Sequence, residues 1–219
     1  MGEAITFDCP DGSRCDGYLA EAAEATAGIV VLQEWWGLND QIRGVAERFA
    51  AAGITALAPD LYKGRVTGDP DEASHLMSGL DWPGACRVEV RGALRHLKAR
   101  LAKVAVTGFC MGGALTVIAA AKLAECDAAV CFYGLPPEDQ AGPAEIKVPF
   151  QGHFAKEDHW CTPEAVDELE AGLADIAVPW EIHRYDAAHG FFNETIEEYD
   201  AAATDQSWAR SLDFLAKHL

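Results

Sequence analysis

The stretch Gly108-Phe109-Cys110-Met111-Gly112-Gly113 sets a cysteine among glycines, directly after the apolar run Val104-Ala105-Val106 and before the small-residue stretch Ala114 to Ala121. A strand that turns sharply into a helix through such a sequence carries one residue at the tip, and the flanking glycines remove side chains that the turn would crush. Here the residue at the tip is a thiol. It ionises far more readily than a serine hydroxyl, and the positive end of a helix favours the thiolate further, so the pattern predicts a nucleophile at Cys110. The alternative is a buried cysteine packing as a small hydrophobe.

A nucleophile of this kind needs a base, and the base needs a carboxylate to orient it. In open α/β sheets ligands bind beyond the carboxyl ends of the strands, which singles out Glu34, Cys110, Asp158 and His189. His189 lies between small neighbours, Ala187-Ala188 and Gly190, and can project over the nucleophile. Its serious competitor is His159; His153 and His183 fall on strands, His75 on a loop, and His96 and His218 on helices. Asp158 is the expected orienting acid, with Glu157 and Asp186 as alternatives. Glu34 precedes Trp35-Trp36, so it is either a surface group with its stem laid on the rings or a partly buried carboxylate of altered pKa. The backbone N–H groups of Trp35 and Met111 are the expected oxyanion hole. His153, Asp158, His159 and Cys161 crowd together in sequence but match no zinc spacing, and no glycine-rich phosphate loop follows any strand, so neither metal nor cofactor is expected.

The elements that must position these residues alternate regularly. Strands are predicted over Glu3 to Phe7 and Cys15 to Ala20 with a Pro10-Asp11-Gly12 turn, then Gly28 to Gln33, Ile54 to Ala58, Lys103 to Thr107, Ala128 to Phe132, Lys147 to Gly152 and Trp180 to Tyr185. Helices are predicted over Asn39 to Ala52, Gly84 to Ala102, Met111 to Ala124, Pro163 to Ala174 and about Asp200 to His218. Leu61 to Pro83 reads as a long loop with one short helix around Glu72 to Ser78, forming a wall of the substrate site. This rhythm implies a three-layer, doubly wound, mostly parallel α/β sheet, one domain over residues 1–219.

The bulk properties narrow the partners. A formal net charge of -18 over 219 residues argues against nucleic acid and anionic membrane surfaces. No apolar stretch approaches the roughly 20 residues of a spanning helix. The seven cysteines form no C-x-x-C pair and read as reduced thiols, which with the absence of a signal pattern leads to a cytoplasmic expectation. A small molecule is the expected partner, with a monomer or small homo-oligomer as the assembly.

Taken together, Gln33-Glu34-Trp35-Trp36-Gly37-Leu38-Asn39, Pro59-Asp60-Leu61-Tyr62, the Cys110 hexapeptide, Asp158 and His189-Gly190-Phe191 resemble the dienelactone hydrolase family over nearly the whole chain. The resemblance implies an α/β-hydrolase fold without a lid domain. It implies a Cys110-Asp158-His189 triad that opens an unsaturated lactone in aromatic-compound degradation through a thioacyl-enzyme. It also implies that Glu34 holds the resting cysteine as a neutral thiol until substrate binds. The family's well-studied branch grips its substrate carboxylate with two arginines. Here the segment Val66 to Cys86 has no Arg or Lys, and Phe192-Asn193-Glu194 stands where the second arginine would fall. The expected substrate contacts are therefore Trp36, Arg65, Phe191 and Asn193, and the substrate a different lactone or a neutral ester. A general carboxylesterase or thioesterase, or a non-catalytic thiol-bearing binding protein, is the alternative.

Overall fold

The computed structural model of the protein describes residues 2–137 and 139–219. Eight strands form one sheet in the order β1-β2-β4-β3-β5-β6-β7-β8. β1 (Glu3–Asp8) and β2 (Arg14–Ala20) make an antiparallel hairpin, and β2 joins β4 (Thr55–Pro59) antiparallel. From β4 onward, β3 (Ala27–Leu32), β5 (Lys103–Phe109), β6 (Ala128–Phe132), β7 (Phe150–Glu157) and β8 (Trp180–Ala188) all run parallel. The central strands are buried along their length, as continuous apolar runs require when helices cover both faces.

Two apolar clusters define the layers. On one face α4 (Arg91–Lys98), α5 (Met111–Lys122) and α6 (Pro163–Leu173) contribute Leu94, Leu97, Leu115 and Leu169. On the other, α1 (Asp40–Ala51) and α7 (Ala201–His218) contribute Ile42, Phe49, Phe214 and Leu215. Asn39 caps α1 by accepting from the Ile42 N–H, and Gly53 follows the helix with a positive φ of 89°, a conformation that glycine adopts without strain. The three-layer, mostly parallel architecture agrees with the alternation in the sequence.

The differences from the sequence reading fall at strand ends and have local causes. β7 begins at Phe150 rather than Lys147, because Pro149 has no N–H for the ladder, and it continues through Glu157 rather than stopping at Gly152. β8 continues through Ala188 instead of ending at Tyr185. The charged residues of these extensions resemble a loop in sequence, but Lys156 Nζ and Asp186 Oδ1 pair across the strands at 2.7 Å. Asp158 and His189 therefore leave directly from strand ends. The segment after β4 contains α2 (Pro70–Ser78), capped by Asp69, and a helix that starts at α3 (Trp82–Ala85), passes through a π-turn at Cys86–Val90 and continues as α4.

At the turn after β5, backbone packs on backbone. A Cβ on Gly134 would lie 2.2 Å from the Cys110 carbonyl oxygen, and one on Gly112 would lie 2.5 Å from that of Leu32. Gly44, inside α1, has nothing within 4 Å. Gly134→Ala is expected to destabilise the fold by about 1–3 kcal/mol, whereas Gly44→Ala is expected to stabilise it by about 0.5–1 kcal/mol. Urea denaturation of the two variants checks both signs.

Candidate active site

Cys110 stands between β5 and α5 with φ 54° and ψ -115°, a left-handed conformation that costs a non-glycine residue about 1–3 kcal/mol. The surroundings over-determine it. Its N–H donates to the Phe132 carbonyl at 3.1 Å, and its carbonyl accepts from Ala114 N–H at 3.0 Å. Gly108, Gly112, Gly113 and Gly134 pack too tightly around the turn to admit any Cβ without displacement. Cys110 is half-buried and opens onto a cavity of about 690 Å³ at the carboxyl end of the sheet. The six other cysteines are buried, and burial pushes Cys15, Cys86, Cys126 and Cys131 up to about 12.

His189 reaches the same cavity from the end of β8, with Gly190 (φ 83°) turning the chain away behind it. Its Nδ1 lies 2.8 Å from Asp158 Oδ2. Asp158 is buried, and its other oxygen accepts from the N–H groups of Trp160 at 2.7 Å and Cys161 at 2.9 Å. Burial opposes charge on both partners, but their mutual bond and attraction prevail. Asp158 is held below its usual range, and Asp158 together with the ionised Cys110 sulfur pushes His189 up to about 10. The competing groups hold other positions: His159 is exposed at the cavity wall, Glu157 lies at its rim, and Asp186 pairs with Lys156.

Glu34, only 3% exposed, is no surface group. Its Oε1 accepts from Tyr133 Oη at 3.1 Å and its Oε2 from Asn193 Nδ2 at 2.6 Å. Burial raises its pKa, and these two bonds offset only part of that rise. Among the described residues no hydrogen bond joins Glu34 to Cys110, whose sulfur instead acts on His189. Trp35 and Met111 both line the cavity. Met111 is the first residue of α5, so its N–H precedes the helix's own ladder.

The four expected substrate contacts divide. Trp36 lines the cavity. Arg65 does not: its backbone packs against Gly37 and its guanidinium pairs with Glu72 at 2.9 Å. Phe191 is fully buried, 5.2 Å from the Tyr133 ring and 5.1 Å from that of Tyr185, and so serves the core beneath the site. Asn193 is fully buried too, and its carboxamide holds Glu34 rather than facing the cavity. The sequence reading passed over Tyr133, although it directly follows β6 and the strand-end rule reaches it. Trp82 and Met77, from the segment after β4, complete an apolar wall. The sequence cluster of His153, Asp158, His159 and Cys161 does not converge; among the described residues no three His, Cys, Asp or Glu side chains form a metal-binding group. No helix of the described residues is long and apolar enough to cross a membrane.

Comparison with known proteins agrees with this fold. The family model described as "Dienelactone hydrolase family" matches residues 15–219. The chain is 34% identical over 179 residues to Protein usf of Aquifex pyrophilus, covering 77% of each chain. It is 31% identical over 186 residues to carboxymethylenebutenolidase 1 of Cupriavidus pinatubonensis, covering 78% of each. A crystal structure of a dienelactone hydrolase-like promiscuous phosphotriesterase from metagenomic libraries superposes with a TM-score of 0.83 at 26% identity, covering 99% of this chain and 98% of that one. The chain belongs to the dienelactone hydrolase family.

Two pH dependences follow from the site. Glu34 is raised above its ordinary 4.5 in the folded state, so its ionisation destabilises the fold as pH rises from about 4.5 through the folded value. In urea unfolding from pH 4.5 to 8, Glu34→Gln is expected to gain in stability on the wild type as pH rises. His189 is raised from 6.5 to about 10, so its contribution is complete below 6.5 and is lost as pH climbs through about 10. The stability gap between wild type and His189→Gln should be level at low pH and close through that upper window.

Proposed function

We propose that this member of the dienelactone hydrolase family hydrolyses a carboxylic ester or lactone, with Cys110 as nucleophile, His189 as base and Asp158 as the group that orients it. The observation that carries the reading is the His189–Asp158 contact of 2.8 Å beside a cysteine held in a left-handed turn at the head of α5.

In the proposed reaction His189, its pKa raised to about 10, already holds the Cys110 proton on Nε2, and the thiolate sulfur forms a bond to the acyl carbon. The carbonyl π pair moves onto oxygen, where the Trp35 and Met111 N–H groups receive it. Collapse of this adduct restores the C=O bond and breaks the bond to the alkoxy oxygen, which takes the proton from His189. In a lactone the freed hydroxyl stays tethered to the acyl group. The thioester then takes up water: His189 accepts a water proton, hydroxide adds to the acyl carbon, and the second collapse expels the Cys110 thiolate and releases the acid. Asp158 keeps Nδ1 protonated throughout, so Nε2 is the exchanging nitrogen.

With Glu34 already bonded to Tyr133 and Asn193, a hydrogen bond from Glu34 to the thiol would require one of those bonds to break. The arrangement thus favours Cys110 paired with His189 over Cys110 held neutral by Glu34. Free thiols throughout support work in a reducing compartment such as the cytoplasm. The second reading, a broad carboxylesterase, is favoured by a cavity with no Lys or Arg in its wall among the described residues.

Cys110→Ala is expected to lower kcat/KM for p-nitrophenyl acetate at least about 10³-fold, and Asp158→Asn about 10²- to 10⁴-fold. Unchanged hydrolysis of every tested ester by Cys110→Ala would overturn Cys110 as the nucleophile. A dienelactone turned over faster than p-nitrophenyl acetate separates the lactonase from the esterase.

A further inference from the structure

The wall of the cavity has a chemistry of its own. Trp36 meets Trp35 nearly edge-on with centroids 5.0 Å apart, and Trp160 meets Trp35 in the same manner at 6.2 Å. Trp82 and Met77 add to the same cavity. Trp160 is 67% exposed, an unusual position for so large an apolar ring unless it meets a ligand. The charged lining is acidic: Glu34 in the floor, Glu157 and Glu198 at the exposed rim.

Among the described residues Glu157 and Glu198 have no ion-pair partner, and no Lys or Arg lines the cavity. Lys156, next to Glu157 in sequence, is committed to Asp186 at 2.7 Å, and Arg65, the expected substrate contact, to Glu72 at 2.9 Å. An anionic substrate entering here would lose water and meet no positive charge besides the His189 imidazole, which is already paired with Asp158. A cation would gain aromatic faces and two unneutralised carboxylates, and the chain's net charge of -18 would draw it in.

Resting on the hydrolase reading above, we propose that the substrate is an ester carrying an ammonium group, protonated or quaternary, seated among Trp35, Trp36 and Trp160 near Glu157 and Glu198. The ester carbonyl then lies at Cys110. Specificity comes from the cation, and the absence of an arginine clamp is its counterpart.

Two matched pairs test this. In one, choline butyrate is compared with the ester whose tert-butyl group replaces trimethylammonium. In the other, the same replacement is made in the acyl chain of a p-nitrophenyl trimethylammoniobutyrate, with the p-nitrophenyl half-ester of glutaric acid as the anionic control. At low ionic strength kcat/KM for the cationic ester should exceed that of its carbon isostere about tenfold in at least one pair, and the preference should shrink with added salt. Trp160→Leu and Glu157→Gln should each cut that ratio about threefold, while Glu168→Gln, an exposed change on α6, leaves it alone. Isosteres hydrolysed as well as the cations in both pairs, a preferred glutarate, or ratios unmoved by Trp160→Leu and Glu157→Gln each overturn the inference and leave the hydrolase intact. Absence of turnover with every ester overturns the hydrolase reading itself, and the inference with it.

Discussion

The backbone of Cys110 is the constraint on which the rest of the site depends. A left-handed residue without glycine's freedom is stable only where its neighbours leave no other path, and here those neighbours are other backbones. Gly112 lies against the carbonyls of Leu32 and Gln33, Gly113 against that of Phe132, and Gly134 against Cys110 itself. Three adjacent parallel strands are thereby locked to the first turn of α5. The same closeness aims the sulfur out of the sheet and leaves the Met111 amide at its side.

A second rigid unit brings the partners to that sulfur. β7 and β8 deliver Asp158 and His189 from adjacent strand ends, and their register shifts by one residue between Ala155 and Glu157, so that Glu157 faces Ala188. A bulge of this kind re-aims the chain after it. Below it His153 Nδ1 meets Tyr185 Oη at 2.8 Å, and His153 Nε2 lies 2.9 Å from Gln151 Oε1 and 3.0 Å from Ser211 Oγ. Burial keeps His153 uncharged, so the network anchors both strands and α7 without a buried ion pair. Environment also separates the two carboxylates. Asp158, with two backbone N–H donors and an imidazole, is stabilised as an anion, while Glu34, deeper and held by neutral donors, is not.

Much of this was legible in the sequence because local patterns carried it. The apolar run before Cys110 and the glycines after it specify a strand, a turn and a helix within a few residues. The strand-end rule then reaches Glu34, Asp158 and His189. What was hidden depends on contacts between distant segments. The charged ends of β7 and β8 look like loops until Lys156 and Asp186 are seen to pair across them. Phe191 and Asn193, next to His189 in sequence, seemed placed to touch substrate. A turn at Gly190 sends both inward, and only the fold shows that Asn193 meets Glu34, 159 positions away. Arg65 could be assigned to the site only while its pairing with Glu72 was unknown.

The distribution of thiols gives the protein a selectivity that no single cysteine has. Six sulfurs sit in the apolar interior, several of them raised to about 12, and Cys110 alone lies partly open beside a charged imidazole. Toward an electrophile in solution the folded chain therefore presents one addressable sulfur, and unfolding exposes seven. The number of thiols an alkylating reagent can reach is in effect a gauge of whether the fold is intact, written into the composition of the core.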